Sequence, residues 1–193
     1  MKRYKSLFFE SYRQYEIKKL CHFLQKNFHT AFVVIGGAAY SLYTGIPAND
    51  LDIVVYDYGT LTPDNLAGGE VLNIDHENNL VKIVLFGVDI DFLKPGREYT
   101  TTEGFEFKVP SIFHNIRNIE GIEIMNEIEL MASTKKHQTE RFAALTKTLG
   151  LKKEAIKYLN KLHGNIGAFI NAYEQVYGVD VSVEEWKQIM RGK

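Results

Sequence analysis

A single cysteine, Cys21, stands in this chain of 193 residues, so no disulfide can form within it and a reducing compartment is expected. Proline is scarce, and no repeat, low-complexity tract or obvious linker interrupts the chain. No apolar run approaches the roughly 18 residues a membrane-spanning helix needs. The N-terminal stretch MKRYKSLFFESYRQ is basic but soon charged and polar, without the apolar segment or small-residue cleavage site of a signal peptide. A cytoplasmic protein with no membrane partner is therefore expected. The histidines at 22, 29, 76, 114, 137 and 163 form no i, i+4 pair and have no cysteine companion, which argues against zinc.

Hydrophobic residues make up 45% of the chain, which points to a globular protein large enough to bury a substantial core. The formal net charge of −1 conceals a polarity. Between Asp50 and Glu106 there are 12 acidic residues against three basic ones, Lys82, Lys94 and Arg97. Between Thr134 and Asn165 there are 8 basic residues against Glu140 and Glu154. An acidic centre beside a basic tail suits a cation site next to a surface for a polyanion, although a lysine-rich helical tail also serves solubility alone.

Periodicity places a helix over roughly Phe8 to Phe28, with Ile17, Leu20, Cys21, Leu24 and Phe28 as its apolar stripe and Cys21 as core filler. AFVVI (Ala31 to Ile35) reads as a short strand broken by Gly36-Gly37. AAYSLYT then has helical composition, stopped by Gly45 and Pro47. LDIVVY, EVLNID, LVKIVLF and VDIDFL read as strands, turning at His76 to Asn79 and at Gly87, and FEFKVP adds a candidate strand. From Asn126, which with Glu129 can form a capping box, the pattern becomes helical, with Ile128, Met131 and Ala132 opening a stripe that runs through Phe142 and Leu145. Gly150, Gly164 and Gly178 punctuate further helices, the last capped by Ser182 and carrying Trp186. The expected organisation is an α+β core over residues 1–125 and a helical C-terminal subdomain over 126–193.

Asp50 and Asp52 flank Leu51 at the start of an apolar strand, where alternation would send both carboxylates to one face. Two carboxylates so close repel unless a cation lies between them, and Mg²⁺ is commonly held by one or two carboxylates plus substrate phosphates. Gly36-Gly37 between a strand and a helix gathers backbone N–H groups at the positive end of a helix, which suits a phosphate; alone, the pair also serves a ligand-free turn. Asp91, on the same face of its strand as Asp89, could complete a metal triad or accept a proton from an attacking hydroxyl, and Asp89 could substitute for it as a ligand.

GGAAYSLYTG, then DLD within NDLDIVV, then DFL resemble the signature of the DNA polymerase β-like nucleotidyltransferase superfamily. The short chain with its helical tail is most similar to the stand-alone bacterial type found in abortive-infection and toxin–antitoxin systems. GIEIMNEIELMASTKKHQTERFAAL resembles that group's strand followed by a helix bearing lysine and arginine. The resemblance covers roughly residues 30 to 148. It implies a small mixed sheet with flanking helices and a helical tail. It also implies an enzyme that moves a nucleoside monophosphate from ATP or another NTP to an acceptor hydroxyl and releases pyrophosphate.

The implied metal ligands are Asp50, Asp52 and Asp91, holding Mg²⁺ or in its place Mn²⁺. The implied phosphate contacts are Gly36, Gly37, Ser41, Lys135 and Lys136; beyond the resemblance, Lys153, Lys157 and Lys161 recur at i, i+4 spacing as a candidate stripe for a polyanion. Acceptors in keeping with this are an RNA end (tRNA included), a protein side chain or a small molecule, and a cognate antitoxin is an implied partner. Where the stand-alone group commonly carries an arginine and a threonine ahead of the first aspartate, this chain has Ile46 and Ala48. That leaves a second reading open: a weak or inactive protein of the same fold, binding nucleotide or RNA or acting as a regulatory partner.

Overall fold

The first long helix, α1 (Gln14–Phe28), buries the stripe Ile17, Leu20, Cys21, Leu24 and Phe28. It starts later than its apolar periodicity suggests. Tyr12 and Ala48 exchange backbone hydrogen bonds, at 2.6 Å from the Tyr12 N–H and 2.9 Å from the Ala48 N–H, which keeps the chain extended there. The helix opens after Arg13, whose N–H donates to the Glu16 carboxylate at 2.7 Å, an acid of the first turn reaching back to the cap. The computed structural model describes residues 12–28, 30–62, 64, 66, 68–75, 80–100, 104, 106–133 and 139–150. The chain divides into two compact units, Met1–Met125 and Asn126–Lys193.

In the first unit, β1 (Phe32–Val34) leads into α2 (Gly36–Thr44) and then β2 (Leu51–Val55). β3 (Glu70–Asp75), β4 (Leu80–Leu85) and β5 (Val88–Leu93) follow the expected segments. Next come β6 (Glu98–Thr100), β7 (Glu106–Lys108), β8 (Arg117–Ile119) and β9 (Ile122–Ile124). Among the described residues the strands form a seven-stranded sheet in the order β3-β4-β5-β2-β1-β9-β8 and a separate β6-β7 ribbon. The β2–β5 and β1–β9 pairs are parallel and the remaining pairs antiparallel, so the sheet is mixed and the fold is α+β. β6 and β8 were not foreseen: Glu98–Thr100 and Arg117–Ile119 are short and mostly polar, with no apolar run to mark them.

Alternation divides the sheet into two unlike faces. Val81, Ile83 and Leu85 of β4, Val88, Ile90 and Phe92 of β5, and Ile53 and Val55 of β2 are buried on one face. There α1 docks through Phe28, whose ring centroid lies 5.3 Å from that of Phe92. The other face of the same strands carries Lys82, Asp89, Asp91 and Asp52. The β4–β5 hairpin is tied to the helical side at its tip. Phe86 meets Phe23 edge-on at 4.9 Å, and the Tyr12 hydroxyl donates to the Gly87 carbonyl at 2.6 Å. At the far end of the sheet α1 runs along the β8–β9 turn, with the Gln25 amide donating to the Gly121 carbonyl at 2.8 Å and Lys18 paired with Glu120 at 2.7 Å.

The second unit opens with α3 (Glu127–Ser133), followed by α4 (Thr139–Thr148). Asn126 Oδ1 accepts the N–H groups of Ile128 and Glu129, each at 2.9 Å, and so caps α3. Met131, Phe142 and Leu145 are buried as expected, but Ile128 is 37% exposed and Leu130 takes the inward place instead. Residues 134–138 and 151–193, with the expected later helices, lie outside the described residues. Among the described residues no helix is long and apolar enough to cross a membrane.

Candidate active site

The turn out of β1 sets one edge of the site. The Ile35 N–H donates to the Asp52 carbonyl at 3.0 Å, and the Ile35 carbonyl accepts the Ala39 N–H at 3.2 Å, so one residue closes the sheet and opens α2. Gly36 follows at φ 61°, in the left-handed region that an L side chain avoids. A Cβ built on Gly36 would lie 2.5 Å from Asp52 Oδ2. The Asp52 carboxylate therefore sits against bare backbone at the first residue of a helix, where a negative charge is favoured.

Parallel pairing sets the other edge. Asp52 of β2 is the register partner of Asp91 of β5. Neighbouring strands lie about 4.8 Å apart and register partners share a face, so two aspartates occupy adjacent positions on the half-open face of the sheet. Asp91 is in turn the register partner of Lys82 of β4, and Lys82 Nζ lies 2.5 Å from Asp91 Oδ2. Asn73 of β3 is next in line. The cross-sheet row is thus Asn73, Lys82, Asp91, Asp52, ending at Gly36. Burial lifts the Asp91 carboxyl above the ordinary carboxylate range; Lys82 pulls against that rise and Asp89 adds to it.

The remaining expected site residues are placed differently. Asp50 lies in a bend ahead of β2, which begins at Leu51, so strand alternation does not apply to it. Among the described residues no three His, Cys, Asp or Glu side chains are gathered as a metal-ligand set. Asp52 and Asp91 are the two acids that the strand register sets opposite each other. Such a pair fits a hard cation that takes its other ligands from water and substrate phosphates, and does not make a closed protein cage. Gly37 is buried within α2, and Ser41 is fully buried on the same helix with no hydrogen-bond partner for its hydroxyl. Lys135, Lys136, Lys153, Lys157 and Lys161 lie outside the described residues.

Lys82 was not singled out from the sequence, yet a signal for it existed. Phe86 and Gly87 both have positive φ, 53° and 78°, making a two-residue hairpin turn. Such a turn pairs Leu85 with Val88, and counting outward pairs Lys82 with Asp91.

No protein-family model matches this chain, and no curated protein matches it. Solved structures are similar to it. One, from Thermotoga maritima, is 15% identical with a TM-score of 0.39, covering 75% of this chain and 91% of the other. Another, from H. pylori, is 14% identical with a TM-score of 0.38, covering 92% of this chain and 88% of the other. Both are candidate nucleotidyltransferases. Likenesses this remote identify neither a family nor a substrate, and what the site can do follows from its own residues.

Proposed function

We propose that this protein is a metal-dependent nucleotidyltransferase that moves a nucleoside monophosphate from an NTP to an acceptor hydroxyl and releases pyrophosphate. The observation that carries the reading is the register pair Asp52–Asp91, with the Gly36 backbone against the Asp52 carboxylate. Asp52 and Asp91 would hold Mg²⁺, which when bound supplies positive charge to the phosphoryl group in transfer. The bare backbone at the start of α2 offers N–H groups and the helix's positive end to the triphosphate. The acceptor oxygen bonds to the α-phosphorus as the bond from that phosphorus to the pyrophosphate oxygen breaks. The acceptor's proton passes to Asp91.

RNA is the acceptor class that the basic run from Lys135 to Lys161 favours, since closely spaced lysines neutralise a phosphate backbone without reading bases. The test is to incubate the protein with each α-labelled NTP, Mg²⁺ and total RNA or cell extract. Label should pass to an acceptor, and chelation or Asp52→Asn should abolish the transfer. No labelled acceptor from any NTP, together with no nucleotide binding by calorimetry, overturns the proposal. A second reading, nucleotide binding without turnover, draws support from Ala48: it is fully buried and paired through its backbone with Tyr12, so it offers no polar group ahead of the aspartates. Nucleotide bound without any label transferred would select that reading.

A further inference from the structure

Lys82 stands in the middle of the cross-sheet row, with Asn73 on one side and Asp91 on the other. Its side chain is 37% exposed and that of Asp91 20%, so the pair is neither sealed in the core nor loose on the surface. An ammonium this close occupies the carboxylate that the transfer reaction needs for a metal. Two cations cannot share one carboxylate oxygen without repelling each other. Lysine is well suited to give way, being a compact charge on a flexible four-carbon stem. A triphosphate arriving on the same face would offer that ammonium a new anionic partner.

Resting on the transferase reading of this site, we infer that Lys82 is the resident counter-cation of Asp91. It holds the carboxylate in the ligand-free protein and turns to the triphosphate when metal and nucleotide enter together. Metal alone then binds weakly, because it must compete with the ammonium already held at Asp91 Oδ2. Nucleotide and metal bind cooperatively, because each removes the obstacle to the other, and the coupling acts equally in both directions. Such an arrangement offsets part of the carboxylate pair's charge and keeps the site unloaded until substrate arrives.

The test follows free Mn²⁺ by electron paramagnetic resonance in wild type, Lys82→Met and Lys82→Arg. It is run first with Mn²⁺ alone and then with the nucleotide that labels best. Lys82→Met should bind Mn²⁺ alone up to about fivefold more tightly than wild type, as removal of a competing, partly exposed ion pair implies. It should also bind nucleotide more weakly, and nucleotide should raise its Mn²⁺ affinity by a smaller factor. Lys82→Arg, which keeps the charge, should stay near wild type. Thermal melts check folding, and Lys82→Gln replaces the methionine variant if that one misfolds. Equal Mn²⁺ affinities in wild type and the neutral variant, or no Mn²⁺ binding by either, overturn the inference. A wild type that binds Mn²⁺ but no nucleotide removes the transferase reading instead, and the Mn²⁺-only comparison still decides the role of Lys82 at Asp91.

Discussion

Replacing Gly36 with alanine tests the turn and the site in one experiment, and Gly45 supplies the control. Both glycines have positive φ, 61° at Gly36 and 79° at Gly45. They differ in surroundings: a Cβ at Gly45 would meet nothing within 4 Å, whereas one at Gly36 would lie 2.5 Å from Asp52 Oδ2. Gly45→Ala therefore carries only the left-handed strain, about 1–2 kcal/mol. Gly36→Ala carries the same strain plus relief of a contact that Cβ atoms do not make. The short Asp52 side chain can turn aside, which adds about 1 kcal/mol and brings the total to about 2–3 kcal/mol. For a chain of this size each kcal/mol lowers Tm by about 2–4 °C. The sharper contrast is in ligand binding. Turning Asp52 aside separates it from Asp91, so Mg²⁺–nucleotide affinity should fall at least tenfold in Gly36→Ala and stay unchanged in Gly45→Ala. Chemical denaturation and calorimetry measure the two effects. Equal losses of stability with equal nucleotide affinities in the two variants would refute the placement of Asp52 against Gly36.

Asp52→Asn should remove the rise in Tm caused by Mg²⁺ and NTP while changing intrinsic stability by less than about 1 kcal/mol, since helix-terminus and exposed-pair effects are of that size. Equal ligand-induced shifts in wild type and variant would exclude Asp52 as a ligand. Asn126→Ala removes the acceptor for two N–H groups at the start of α3 and should cost about 1 kcal/mol in denaturant titrations; an unchanged midpoint would show that the cap contributes nothing. Burial pushes the Cys21 thiol up to about 12, so iodoacetamide near neutral pH should label it only in denaturant. The unfolded thiol ionises near its ordinary value while the folded one stays protonated. The contribution of Cys21 to stability is thus complete at neutral pH and falls by about 1.4 kcal/mol per pH unit once the ordinary thiol pKa is passed, up to the folded value. Melts at rising alkaline pH should accordingly be steeper for wild type than for Cys21→Ala, and parallel curves would count against a buried protonated thiol.

Local periodicity carried much of the fold. The Ile17 to Phe28 stripe, the alternation in β4 and β5 and the glycines bounding α2 are read from neighbours a few residues apart, because a helix or strand repeats over that distance. Alternation likewise told which side of its own strand Asp91 takes. Asp50 falls just ahead of β2, which begins at Leu51, and the backbone pairing of Ala48 with Tyr12 acts from a segment far away in sequence. β6 and β8 gave no warning, since short, mostly polar segments become strands only when a partner supplies the hydrogen bonds. The parallel pairing of β2 with β5 sets Asp52 opposite Asp91 across an intervening hairpin, and the turn after β1 lays Gly36 against Asp52. A sequence period fixes which face a side chain takes within its own strand. Which strands lie side by side depends on burying apolar faces contributed by distant parts of the chain, and only the folded structure decides that.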